Sequence, residues 1–195
     1  KEIRPKMLKQ HLDPIEKRGV LETLRRIISR LNEIFRYAAT EELIEFNPAD
    51  NLAQRFSKPK KQNMPALPPT ELPRFLTVLN NASVRMETRL LIEWQLLTWV
   101  RPGEAVRARW ADIDTDNSMW NIPSDFMKMK KPHKVPLSKE ALRVLDSMKA
   151  ISGHREWVFP SIKAPLNHMH EQTANAAIIR MGFGGKLVAH GMRCC

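Results

Sequence analysis

The chain has 195 residues, 43% hydrophobic and 27% charged, which suits one large or two small packed units and excludes a disordered or fibrous protein. Thirty-two Lys and Arg against 21 Asp and Glu leave a net charge of +11, which favours a polyanionic partner, DNA or RNA first. The only cysteines are Cys194 and Cys195, so no disulfide framework exists; no secretory signal opens the chain, and "LLIEWQLLTWV" is too short to span a bilayer, so a cytoplasmic protein is expected.

In chain order, "IRPKMLKQHLDPIEKRG" reads as a short helix and a turn. From Val20 to Phe46 the apolar residues Leu24, Ile28, Leu31, Phe35 and Ala38 recur at helical spacing, which predicts a long amphipathic helix stopped by Asn47-Pro48. Residues 1–57 therefore read as a small helical unit that begins in mid-pattern. Residues 58–68 lose that periodicity and read as a basic, Pro-rich linker. Lys58, Lys60 and Lys61 there are as consistent with phosphate contacts as with a solvated segment.

Residues 69–195 read as a second unit. Thr70 is placed to cap a helix through "ELPRFLTVLNN", and a helix from Val84 to Trp99 is expected to bury Leu90, Leu91, Trp94 and Leu97. Pro102 suits the first position of a short helix over "GEAVRAR". A turn and strand follow in "DIDTDNSMWNIP", and two further strands joined by a basic turn in "FMKMKKPHKVPLS". Ser138 caps "KEALRVLDSMKA"; Asn167 is placed to cap "HMHEQTANAAIIRM", which Gly182 ends. The fold class is mainly α with a small antiparallel sheet, α+β.

Three places carry candidate chemistry. Arg101, beside Pro102 at a helix junction, offers a fork of donors on a rigid mount; a phosphate suits it, as does a carboxylate from Glu104 or Asp112. The stretch from Phe126 to Lys139 holds five lysines, one histidine and no acid, and a hairpin there projects Lys128, Lys130 and Lys131, with His133 and Lys134 following. In "AHGMR", His190 and Arg193 are spaced to share one helical face, and an imidazole with a guanidinium suits a phosphoryl transition state. His168 and His170 diverge on a helix and lack partners, so no metal is expected. The tryptophans and methionines fall mostly at core positions.

An Arg at a helix junction, a Lys in a hairpin and then His-x-x-Arg resembles the tyrosine recombinases, the phage integrase family. "LLTWVRPGEAVRARWADID", "MKMKKPHKVPLS", "WVFPS" and "AHGMR" resemble the integrases of satellite phages and genomic islands. The resemblance implies a helical core-binding domain followed by a tyrosine-recombinase catalytic domain, closing as a clamp round double-stranded attachment-site DNA. It implies that Arg101 and Arg193 hold the scissile phosphate, that Lys128 is the general acid for the 5′-oxygen, and that His190 hydrogen-bonds the phosphate. Glu104 would tie down the Arg101 junction. No cofactor or metal is implied; a homotetramer on DNA, with a DNA-bending protein or excisionase as accessory, is.

The family's nucleophilic tyrosine lies downstream of the His-x-x-Arg box. This chain stops two residues past Arg193, and its one tyrosine, Tyr37, reads as a packing residue of the N-terminal helix. The expectation is a truncated integrase that binds DNA without cleaving it, serving in site-specific recombination when intact. A non-catalytic DNA-binding regulator and a basic nuclease are the competing readings.

Overall fold

The computed structural model describes residues 3–60, 63–126 and 130–194. Lys61 and Lys128 lie outside them. The chain divides into two compact units, Lys1–Gln62 and Asn63–Cys195.

In the first unit, α1 (Pro5–Lys17) opens with proline, whose missing N–H would lack a partner in the first turn anyway. Gly19, at φ 75°, turns the chain into α2 (Leu21–Thr40). Leu12, Leu24, Ile28, Ala49, Leu52 and Phe56 form the core, with Leu31 and Phe35 packed against it. The Glu16 carboxylate accepts the Ser57 N–H at 2.7 Å, a bond that holds its pKa below the usual carboxylate range.

The expected run of α2 to Phe46 is corrected. Glu42 turns left-handed at φ 56°, and the Leu43 and Glu42 N–H groups donate back to the Ala38 and Ala39 carbonyls at 2.9 and 3.2 Å. This Schellman arrangement closes the helix before Asn47 is reached. Asn47 instead bonds the Asn32 side chain at 3.0 Å and receives the Ala49 N–H at 2.9 Å. Tyr37 is not a packing residue: it is 65% exposed, because the buried stripe of α2 runs through Leu24 and Ile28 and turns its other face to solvent.

The second unit begins earlier than residue 69. Leu67 is 3% exposed within an apolar cluster, and the Pro65 carbonyl accepts the Val188 N–H at 3.2 Å, so the later part of the 58–68 stretch is packed structure rather than linker. A 3₁₀ turn over Pro69–Glu71 leads into α3 (Leu72–Asn81), with Glu71 rather than Thr70 at the N-cap and Pro73 in the first turn.

Next come α4 (Met86–Thr98) and α5 (Pro102–Val106), the latter ending before the arginines of "RAR". Strands β1 (Ile113–Asp114), β2 (Met119–Ile122) and β3 (His133–Pro136) form one antiparallel sheet in the order β1-β2-β3. Trp120 lies opposite both Ile113 and Val135, and Ile122 opposite His133. Of the two strands expected in "FMKMKKPHKVPLS", the second is β3, which pairs with β2; the first falls on residues 127–129, outside the described residues, and is preceded by a 3₁₀ turn over Ser124–Phe126.

Helix α6 (Lys139–Ser152) is capped by Ser138, whose Oγ accepts the Ala141 N–H at 3.1 Å. Asn167 does not cap a helix. Its carbonyl accepts the Ser161 N–H at 2.7 Å and Met169 N–H donates to Phe159 at 2.8 Å, so 167–169 is used as extended backbone. Helix α7 (Thr173–Ile178) starts later and passes into a π-turn, Ile179–Phe183, where Gly182 at φ 85° leaves the helical path.

Two apolar clusters fill this unit. One gathers Leu91, Trp94, Trp120, Val144, Met148 and Phe159; the other gathers Phe75, Leu79, Ile92, Ile178, Phe183 and Met192. Helix α4 serves both, packing against α5, α6, α7 and the 3₁₀ turn Ala189–Cys194. Trp94 meets Trp120 and Phe159 with ring centroids 5.1 and 6.2 Å apart. A helix buried on opposite faces is a rigid mount. Leu97 is the exception to its expected burial at 37% exposed, while Ile92, Gln95 and Thr98 are buried. Trp99, at 61%, and Met7, Met64 and Met86 also lie outside the core. Among the described residues, no helix is long and apolar enough to cross a membrane.

Candidate functional site

The rigid α4 ends at Trp99 in the left-handed region, φ 54° and ψ 24°, its N–H donating to Gln95 at 3.0 Å. That reversal returns Val100 to the core and sets Arg101, in extended conformation, as the N-cap of α5. Glu104, 6% exposed, reaches back: its carboxylate accepts the Arg101 N–H at 2.9 Å and Arg101 Nη1–H at 2.7 Å. The carboxylate reading of Arg101 is therefore met in geometry. Yet among the described residues only one guanidinium nitrogen is used, and the side chain stays 39% exposed. Glu104 braces the arginine while leaving donors of the fork open.

The His-x-x-Arg segment approaches the same junction. Arg193 Nε–H donates to the Trp99 carbonyl at 2.8 Å, and Trp99 stands two residues before Arg101. This bond spends one donor of Arg193 on the backbone and leaves the terminal nitrogens of an exposed guanidinium unengaged among the described residues. His190 is also exposed. It lines a cavity of about 680 Å³ together with Arg101, Glu104, Arg107, Asp125 and Glu171, floored by Gly103 and Val188.

The turn that presents His190 is tied at two points the sequence reading missed. Asn175 Oδ1 accepts the Ala189 N–H at 2.6 Å, and its Nδ2–H donates to Gln172 at 2.7 Å. Gly191 passes so close to Pro65 that an added Cβ would lie 2.0 Å from the Pro65 carbonyl oxygen. A glycine between the histidine and the arginine was the available signal for that approach. Nothing in the sequence distinguished Asn175 from other polar helix positions.

The β2–β3 connection reaches the cavity at its start, through Asp125 and Phe126. Phe126, at its base, lines the cavity and is held under the Arg109 guanidinium at 4.9 Å and beside Trp157 at 6.2 Å. Arg109 is itself fixed by Asp112 at 2.8 and 3.0 Å, bonds that hold its pKa above the ordinary value. Lys130, Lys131, His133 and Lys134 are all exposed; Lys130 takes φ 50°, and His133 and Lys134 lie on the edge strand β3. Lys58 and Lys60 are exposed in the first unit, Lys58 lining a shallow groove with Arg25. His168 packs edge-on against Trp157 at 5.1 Å, whereas His170 Nδ1 accepts the Gln172 N–H at 3.1 Å, so the two histidines face separate tasks.

Two guanidiniums braced by the protein, with donors left open among the described residues, and an imidazole on the cavity beside them make a candidate anion-binding centre on an α+β unit. Residues 65–194 match the phage integrase family and residues 1–55 the phage integrase central domain. The chain belongs to the phage integrase family, the tyrosine recombinases. It is 47% identical to prophage integrase IntA of Escherichia coli K12 over 98% of its own length and 46% of that protein's. It is 37% identical to the integrase of Enterobacteria phage P4, over 93% of this chain and 45% of that one. The chain thus spans about half the length of the curated relatives it matches. Its fold is that of the Tn1549 transposon integrase, solved with circular intermediate DNA: TM-score 0.82 at 14% identity, covering 99% of this chain and 71% of that one.

Proposed function

We propose that this chain is the core-binding and partial catalytic region of an integrase that recombines DNA at specific sites, by cleavage and rejoining through a 3′-phosphotyrosyl intermediate. The observation that carries this is the gathering of Arg101, His190 and Arg193 about one helix junction, from segments far apart in sequence. In the proposed reaction Arg101 and Arg193 share the non-bridging oxygens of the scissile phosphate, each with donors that the protein leaves open. His190 donates to the same phosphate from the cavity wall. Lys128 protonates the departing 5′-oxygen from the β2–β3 connection, and Lys130, Lys131, His133 and Lys134 follow the backbone, as do Lys58, Lys60 and Lys61 of the preceding stretch. Preorganised donors of this kind stabilise a pentacovalent phosphoryl transition state without reorganising.

The single tyrosine, Tyr37, belongs to the first unit and to an exposed helix face. These 195 residues alone therefore bind duplex DNA and form no covalent adduct. In a protein that supplies the nucleophile, the partners are attachment-site DNA, three further copies in a tetramer, and an accessory DNA-bending protein or excisionase. The test is a labelled attachment-site duplex mixed with the chain and analysed twice. A salt-sensitive shift on a native gel with no protein–DNA band on a denaturing gel is expected. A covalent band would overturn the binding-only assignment, and released nucleotides would establish a hydrolytic nuclease.

A further inference from the structure

Arg107 occupies the same cavity as Arg101 and His190, half-buried at the C-terminal end of α5. The neighbouring arginines each have a carboxylate: Arg101 has Glu104 at 2.7 Å and Arg109 has Asp112 at 2.8 Å. The Arg107 backbone N–H donates to the Glu104 carbonyl at 3.1 Å, but its guanidinium has no hydrogen bond or ion pair with any described residue. A half-buried guanidinium with no directly bonded acceptor loses part of its hydration without a contact that replaces it.

The space before it is kept open by Gly103. A Cβ built there would lie 3.6 Å from Arg107 Nη1 and 3.1 Å from Glu171 Oε2, so both charged ends stand over bare backbone. No ion pair joins them. The fork of Arg107 is thus placed on the cavity, unspent, with a planar geometry suited to a phosphate.

We infer that Arg107 is a third anion-binding residue of this cavity and takes a DNA phosphate beside the one taken by Arg101. The inference rests on the DNA-binding reading above. Glu171 opposes an anion at that position, so removing its charge strengthens binding.

The experiment is fluorescence anisotropy of the full chain with a short labelled attachment-site duplex, over a salt series. Arg107→Gln is expected to weaken binding about tenfold, the worth of one charge-assisted contact, and to flatten the slope of log K against log salt by about 0.9. Arg107→Lys restores the slope but only part of the affinity, because the charge returns without the fork. Glu171→Gln tightens binding. An unchanged slope in Arg107→Gln beside a steep one in the unaltered chain overturns this inference alone, and so does a lowered melting temperature with binding intact. Absence of salt-dependent binding by the unaltered chain overturns the DNA reading and this inference together.

Discussion

Glycine 191 shows how one residue controls the approach of the His-x-x-Arg turn to the rest of the site. Its missing side chain lets the turn lie against the Pro65 carbonyl, while Asn175 holds the turn's first N–H. Gly191→Ala must push one backbone from the other, and overpacking of this kind costs about 1–3 kcal/mol. The expected result is a melting temperature lower by roughly 4 °C for each kcal/mol, together with weakened DNA binding as His190 and Arg193 shift. An unchanged melting curve would show that the turn relaxes freely and that the close approach is incidental. Trp99 carries a related load: a left-handed, largely exposed tryptophan is a costly choice at a helix end, and its carbonyl is the point to which Arg193 is tied.

At the scale of the element, α4 decides the geometry. Both apolar clusters use it, so its C-terminal end is held firmly enough to aim Arg101. The same helix carries Glu93 at the edge of an apolar groove with Leu72, Leu76, Leu97 and Trp99. Burial pushes the Glu93 pKa up, against a smaller opposing pull from Arg89. A carboxyl raised by folding favours the folded state in acid and loses that contribution as pH rises through its folded pKa. Glu93→Gln is therefore expected to raise the melting temperature at neutral pH and to leave it unchanged below the ordinary carboxylate range. Equal gains at both pH values would mean that the charge is not what destabilises. Glu16 has the opposite sign: its pKa is lowered by the Ser57 bond, and its contribution is lost as pH falls through the folded pKa.

For the whole molecule, each apolar cluster lies within one of the two units, and the boundary falls at Gln62 and Asn63. A fragment of residues 63–195 should therefore fold by itself and melt cooperatively, whereas a fragment beginning at residue 69 loses Leu67 and the Pro65 carbonyl that receives Val188. Thermal unfolding by circular dichroism compares the two. Equal stability would return residues 63–68 to the status of a linker. The net charge of +11 acts at this scale as well, since long-range attraction to a polyanion sums over both units and is weakened by salt.

The α+β class and most helices were legible because they depend on local pattern: helical periodicity in α2 and α4, Pro102 after Arg101 and Ser138 before α6; Arg101, His190 and Arg193 stood out as candidates only through the order of motifs that the family resemblance supplied. Where local signals competed with distant ones, the fold chose otherwise. Extended pairing with 159–161 took the backbone that Asn167 was expected to lead into a helix, and α2 closed at Glu42 before Asn47-Pro48 was reached. Nor could periodicity reveal that α4 is buried on two faces, that Asn175 and Pro65 hold the turn bearing His190, or that the Arg107 guanidinium lines the cavity without a partner among the described residues. Sequence spacing determines which side chains share an element, because backbone geometry repeats. Which elements meet depends on contacts between residues remote along the chain, and only the packed structure brings Arg193 to the Trp99 carbonyl, two residues before Arg101.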